Sequence, residues 1–229
     1  MAFRYAGFLF PVINGQLYVG KRGTEPHKGQ WGAIGGKNEP GPTIDGLYNT
    51  IVKPWGLAEM RFLDRKLVEE GRESCMFTAL REFHEEAYAR EPTVDDLLAN
   101  YRHPYKIGSA RDSLPGDDRI NWCEFYIAQV QDTKFDMSPR ELHGLEPVVN
   151  VDSENIFPLS QLALLGLWDK FASGWYQWHD VLSQYPDLSK QISLPLIKWW
   201  EFDQSNLGPY KMNAKLETDR MLQEAGLLK

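Results

Sequence analysis

Cysteine is nearly missing from this chain. Among 229 residues there are only 2, Cys75 and Cys123, too few for a disulfide framework. Cys75 falls in a helix-periodic stretch and Cys123 in an apolar strand-like one, so both read as buried free thiols. Long apolar runs are missing too. No stretch approaches the ~20 uninterrupted apolar residues a bilayer demands, and no membrane span is expected. The opening Met-Ala-Phe-Arg-Tyr has no basic region leading into an apolar run and a small-residue cleavage site, so the expectation is a cytoplasmic protein without a secretory signal. No dense Lys/Arg cluster is present, and the formal net charge is −7. That argues against a protein that grips a nucleic-acid backbone, because such affinity comes from neutralising phosphates. A small phosphorylated ligand is a different matter, since a metal ion can neutralise it locally. Internal repeats and low-complexity tracts are absent as well.

What is present is an ordinary globular composition, 42% hydrophobic and 25% charged, long enough to bury a core without staples. One domain with an extension is the natural organisation. Residues 3–13 are apolar and aromatic. Asn14-Gly15 then marks a hairpin turn, and Gln16 to Val19 forms the return strand, ending in Lys21-Arg22. A loop over Gly23–Gly29 precedes a third apolar piece, Trp31 to Ile34, which runs into Gly35-Gly36-Lys37. Pro40, Gly41 and Pro42 break regular structure. Leu57, Met60, Leu63 and Leu67 recur at spacings of three and four and suggest a short helix.

The segment 74–89 reads as a helix, with Met76, Leu80, Phe83 and Ala87 on one apolar stripe and Ser74 as its cap. A short helix over 94–101, a strand over 121–130 and a shorter strand over 148–151 follow. From about Leu159 the texture is helical and rich in tryptophan, with Trp168, Trp175, Trp178, Trp199 and Trp200. This order fits an α+β fold, a mixed sheet sandwiched between helices, better than a doubly wound sheet.

The string Arg81-Glu82-Phe83-His84-Glu85-Glu86 carries the chemistry. Residues three and four apart share a helix face, so Glu82, Glu85 and Glu86 point one way. Three carboxylates this close repel one another and call for a cation, and hard oxygen ligands suit Mg²⁺ or Mn²⁺. Alone, the string is also what a solvated acidic face looks like. Two further features decide between the readings. Glu73 stands eight residues before Arg81, and Gln30 to Lys37 forms a strand running into a glycine loop.

Together these segments resemble the Nudix box: Gly, five residues, Glu, seven residues, Arg-Glu, an apolar residue, any residue, Glu-Glu, any residue, Gly, an apolar residue. The second half is near complete, with Ala87 in place of the late Gly and Tyr88 in the apolar place. The first half is split. Gly36-Lys37-Asn38-Glu39 opens the box and Gly71-Arg72-Glu73 resumes it, so about 31 residues are inserted between. Pro42 stands where the uninterrupted box has its first Glu. The resemblance covers roughly residues 5–160.

The resemblance implies a Nudix-like mixed sheet between helices over residues 1–164, interrupted at about 40–71. The tryptophans of 165–229 are a heavy burden for a solvent-exposed segment, so a helical, aromatic-rich extension packed on that core is the expectation. It implies a pyrophosphohydrolase that cleaves a nucleoside diphosphate derivative such as ADP-ribose, a nucleotide sugar or a dinucleotide. Glu82, Glu85 and Glu86 would bind the metal with the carbonyl of Gly36. Arg81 would hold Glu73 or Glu82 in place. The general base stays open among Glu82, Glu141, Glu146 and Glu154. Arg22 and Lys37 are candidates for phosphate contact, and Trp31, Phe8 or Tyr18 for stacking on a base. His84, at the unspecified position, is expected to be exposed and without a catalytic role. The insert reads as a lid or a dimer contact, and a homodimer is an open expectation. Competing readings are a nucleoside triphosphate pyrophosphatase and a ligand sensor without catalysis, which would be expected to lose box carboxylates. An isoprenoid diphosphate isomerase on the same fold would need a catalytic cysteine, and neither Cys75 nor Cys123 has a suitable setting.

Overall fold

The computed structural model describes residues 2–25, 27–40, 67, 70–112, 119–152, 155–157, 159–161 and 163–164. The expected helix over Leu57–Leu67 falls outside them except for Leu67. The tryptophan-rich extension over 165–229 falls outside them entirely, as does Glu154.

The architecture is α+β, as the order of elements implies. Strand β1 (Ala2–Ile13) turns into β2 (Gln16–Arg22), and the short β3 (Trp31–Gly32) and β4 (Ile34–Lys37) follow. Helix α1 (Cys75–Tyr88) and helix α2 (Val94–Asn100) precede β5 (Tyr101–Asp112), β6 (Arg119–Val130) and β7 (Leu142–Pro147). The strands form one mixed sheet in the order β3-β2-β1-β6-β5, with β4 on β1 and β7 on β2. Only β1 and β6 run parallel among these pairs. The first turn is the expected one, with Asn14 at φ 51 and Gly15 at φ 76, the left-handed pair that a two-residue hairpin needs.

One edge of β1 is shared. Val12 and Ile13 pair with β2, whereas Ala6 to Leu9 pair with β4. The chain leaves β2's neighbour β3 at Ala33 and crosses to β1, so Gly35 to Lys37 are strand residues, not a free loop. This crossing brings Gly36 beside the helix.

Helix α1 buries the expected stripe of Met76, Leu80, Phe83 and Ala87, together with Leu9, Ile13, Ile34 and Tyr126 of the sheet. Each large side chain so buried contributes roughly 1.5–3 kcal/mol. Ser74 caps the helix, its hydroxyl accepting from the Phe77 N–H at 3.1 Å. A side chain at Gly7 is excluded, because its Cβ would lie 2.0 Å from the Cys75 carbonyl oxygen. That contact seats the helix start directly on β1. The opposite face of the sheet packs Phe10, Val12, Phe125 and Ile127 against Val148, Ile156, Leu159 and Leu164. Residues 159–161, 163 and 164 are helical, so both faces of the sheet carry helix.

Three expectations are corrected. The segment 148–151 is not a strand; Val148–Asn150 is a 3-10 turn that follows the true strand, β7. Tyr101 ends the α2 region by opening the long strand β5, which the sequence pattern did not reveal. His84 is buried, only 2% exposed. It lies four residues after Leu80 and three before Ala87, so the apolar stripe is wider than four residues and includes it.

Candidate active site

The two parts of the split motif meet. Arg72 bridges Pro40, and the Glu73 N–H donates to the Glu39 carbonyl at 3.0 Å. The Arg72 guanidinium donates to the Asn38 side-chain oxygen at 2.6 Å and to the Asn38 carbonyl at 3.0 Å. The Asn38 amide in turn donates to the Glu73 carbonyl. The chain therefore closes on itself at the Pro40–Arg72 bridge. Counting across that bridge, Lys37, Asn38, Glu39, Pro40 and Arg72 are the five residues between Gly36 and Glu73.

Glu73 is 3% exposed and saturated with donors. Arg81 reaches its two oxygens at 2.7 and 3.0 Å, the Thr78 hydroxyl donates at 3.0 Å and the Glu39 N–H at 3.2 Å. Arg81 also donates to Glu82 at 2.9 Å and to both oxygens of Glu85 at 2.9 and 3.1 Å. It thus holds Glu73, Glu82 and Glu85 together, where the resemblance implies one of Glu73 or Glu82. Burial pulls the Arg81 pKa down, but its carboxylate partners more than reverse this and hold the guanidinium firmly charged.

Glu82 and Glu86 face elsewhere, into a cavity of about 240 Å³. Its lining also includes Arg22, Lys37, Glu141 and the aromatic rings of Phe8, Trp31, Phe125 and Phe157. Gly36 lies against Glu82 so closely that a Cβ there would sit 2.4 Å from the carboxylate. Burial pushes the Glu82 carboxyl up to about 7, only partly offset by Arg81. Glu86 is pushed up to about 8, first by burial and then by the charges of Glu82 and Glu141, with Arg22 opposing. Burial also raises Glu85 despite its contacts with Arg81. Removing water disfavours a charged carboxylate, and a neighbouring carboxylate adds to the effect.

The structure separates the three helix glutamates. Glu82 and Glu86 line the cavity, while Glu85 leans on Arg81 and does not. Among the loop carboxylates, Glu141 is at the cavity and Glu146 is exposed on β7. The Glu141 loop is tied down at both ends. The Ser138 N–H donates to the Glu86 carbonyl at 2.7 Å, and the Gly23 N–H donates to the Glu141 carbonyl at 2.9 Å. Phe8 and Trp31 line the cavity, with Phe8 stacked on Phe125 at 5.3 Å between centroids. Tyr18 packs instead against the helix-side core. The Arg22 guanidinium is steadied by the Thr24 carbonyl at 3.3 Å.

Phe157, Ser160 and Gln30 were not foreseen as part of the site. The Phe157 N–H donates to the Trp31 carbonyl at 2.6 Å, and the Ser160 hydroxyl accepts from the Ala33 N–H at 2.9 Å. These bonds dock Phe157 and Ser160 on Trp31 and Ala33 across a sequence gap that no local pattern announces. His84 lies on the other side of the helix, its Nδ1 3.1 Å from the Tyr101 hydroxyl. Burial holds the imidazole down at about 4, so it is neutral.

Solved structures with a similar chain course include a MutT Nudix hydrolase from Burkholderia pseudomallei. It is 13% identical, with 71% of this chain and 96% of that chain covered at a TM-score of 0.44. A MutT protein from Methanosarcina mazei Go1 is 13% identical, with 68% of this chain and 85% of that one covered at a TM-score of 0.40. The Nudix domain of Shewanella oneidensis NrtR, solved in complex with ADP ribose, is 14% identical over 66% of this chain and 75% of that one, with a TM-score of 0.31. No family model and no curated protein matches the sequence.

Proposed function

We propose that this chain is a Nudix-type pyrophosphohydrolase that uses Mg²⁺ or Mn²⁺ to cleave the diphosphate of a nucleoside diphosphate derivative, of the ADP-ribose, nucleotide-sugar or dinucleotide kind. The observation that carries this reading is the pair Glu82 and Glu86. Both line the cavity, and burial, with neighbouring carboxylates adding to it, lifts both above the ordinary carboxylate range. Perturbed carboxylates in a cleft are a mark of function.

The donor set fits a hard divalent cation, since carboxylate and carbonyl oxygens are what Mg²⁺ and Mn²⁺ prefer. Among the described residues, no three His, Cys, Asp or Glu side chains close into a ready-made cage. That suits Mg²⁺, which keeps several waters and takes one or two carboxylates together with substrate phosphates. Glu82 and Glu86 would hold the metal with the Gly36 carbonyl, and Glu85 would join them on release from Arg81. Bound there, the metal supplies neutralisation of the diphosphate and a water of lowered pKa.

The chain's own residues do the rest. Arg81, fixed by Glu73, sets the orientation of Glu82 and Glu85. Glu141, beside Glu86 and anchored through its backbone, takes the proton from the attacking water as general base. Arg22 and Lys37 bind phosphate oxygens. Phe8 and Trp31 offer faces for a base. The reaction adds water across a P–O–P bridge, giving a nucleoside monophosphate and a phosphorylated partner.

A panel of nucleotide substrates with Mg²⁺, with products identified by mass, tests the assignment. A monophosphate plus a second phosphorylated fragment supports it. A monophosphate plus pyrophosphate from nucleoside triphosphates alone would assign the triphosphate pyrophosphatase instead. No turnover of any member, with or without metal, would favour a sensor.

A further inference from the structure

Glu141 is carried by a loop, residues 131–141, with no strand or helix of its own. All of its residues are exposed except Phe135 and Ser138. Such a segment has few contacts with which to hold a side chain in one place. Both inward residues rest on the last turns of α1. The Phe135 ring meets Phe83 edge-on, with centroids 6.3 Å apart and planes at 85°, and lies tilted against Tyr88 at 5.4 Å. Both separations suit favourable aromatic pairs. Three residues on, the Ser138 N–H donates to the Glu86 carbonyl at 2.7 Å. The Ser138 carbonyl then accepts from the Glu141 N–H at 3.2 Å and the Leu142 N–H at 3.0 Å. The start of the loop is held nearby, where the Tyr88 hydroxyl donates to the Asp132 carbonyl and the Asn100 side-chain oxygen accepts from the Asp132 N–H at 2.6 Å.

Phe83 and Tyr88 bracket Glu86 in the helix, so the ring contact and the Ser138 bond fall on one short stretch of α1. A single backbone hydrogen bond in a solvated loop is worth little, because water competes for both partners. Phe135 is the loop's only apolar side chain that is not exposed. It packs against the core cluster that contains the fully buried Phe83. We infer that Phe135 is a positioning residue for the general base: its ring, seated on Phe83 and Tyr88, holds the loop on α1 and so fixes Glu141 relative to Glu86. This rests on the proposed function for the role of Glu141. The helix that presents the metal carboxylates thereby also sets the place of the base. Phe135 is not part of the cavity lining, so its effect should appear in kcat and not in KM, and only while Glu141 is there to be positioned. Misplacing a catalytic group by ~1 Å can cost up to about 100-fold in rate.

Two measurements on the full chain test this. The first is a kinetic cycle in Mg²⁺ of the wild type, Phe135→Ala, Glu141→Gln and the double variant, on the best substrate of the panel. Phe135→Ala should lower kcat about 10-fold with KM changed less than about two-fold, and should cost nothing further once Glu141→Gln is in place. An undiminished kcat in Phe135→Ala, or the same fold-loss in both backgrounds, overturns the inference. The second is amide hydrogen exchange read by NMR, which needs no substrate. In Phe135→Ala the Ser138 and Glu141 N–H groups should exchange about 10-fold faster, while Leu80 and Phe83 within the helix keep their rates. Unchanged loop rates, or helix amides that accelerate as much as the loop, overturn it as well. If Glu141→Gln itself keeps full kcat, the general-base assignment fails, and the exchange result alone decides whether Phe135 anchors the loop.

Discussion

The two sides of the glutamate cluster live under opposite electrostatic conditions. Glu73, Glu82 and Glu85 share the Arg81 guanidinium, and Glu73 has further donors in Thr78 and the Glu39 N–H. Glu86, one turn on from Glu82, has Glu82, Glu141 and Glu85 as like charges, with Arg22 opposing them. The first group is self-sufficient and fixes geometry. The second is under-compensated, and a cation is what it lacks. One helix therefore carries a rigid support and a charged opening side by side. The support is costly to disturb structurally, and the opening is costly to disturb chemically.

The comparison can be broken most strongly at Glu86. Glu86→Gln should lower Mg²⁺-dependent turnover on the order of 10³-fold with the fold intact, and wild-type turnover would refute its role. Glu141→Gln should lower kcat about 100-fold. Glu146→Gln, exposed on β7, should leave kcat unchanged. Arg81→Lys attacks the support instead. A lysine cannot span three carboxylates, so activity should fall about 10-fold and urea unfolding should show a loss of stability, the reverse of Glu86→Gln. Replacing 41–66 by a short linker, which keeps the buried Leu67, should matter least to the chemistry. Its ends already meet through Pro40 and Arg72, and each doubling of loop length changes closure cost by only about 0.6 kcal/mol. The trimmed chain should keep Mg²⁺-dependent turnover but change its relative kcat/KM across substrates. An unchanged ranking would show that the insert does not govern substrate choice.

Much of this site was legible because it is local. Ser74, the apolar stripe and the Arg81–Glu86 string lie within a few helical turns, where spacing alone fixes which side chains share a face. The resumption of the motif at Gly71-Arg72-Glu73 was also readable, although its closure through Asn38 and Arg72 is tertiary. What the pattern could not give is long-range. Choosing Glu141 over Glu146 depends on bonds from Ser138 to Glu86 and from Gly23 to Glu141. Phe157 and Ser160 reach the site by docking on β3. The burial of His84 could have been read, since Leu80 and Ala87 flank it at helical spacing. A polar residue at an unspecified motif position was assigned to solvent too readily.

The central claim is that Glu82 and Glu86 destabilise the metal-free fold and that a cation relieves them. Their folded-state values, about 7 and about 8, lie above the ordinary 4.5. The folded state therefore holds more protons than the unfolded state between those limits, and stability falls as pH rises through them. His84, held down at about 4 from 6.5, acts in the other direction but only below pH 6.5. The deciding measurement is thermal unfolding from pH 6.5 to 8.5, in EDTA and in Mg²⁺, for the wild-type chain and Glu86→Gln. The wild-type Tm should fall with pH in EDTA, Mg²⁺ should restore it increasingly as pH rises, and Glu86→Gln should be flatter in EDTA and gain little from Mg²⁺. A wild-type Tm in EDTA that stays level or rises over this range, with no Mg²⁺ effect that Glu86→Gln removes, would contradict the account.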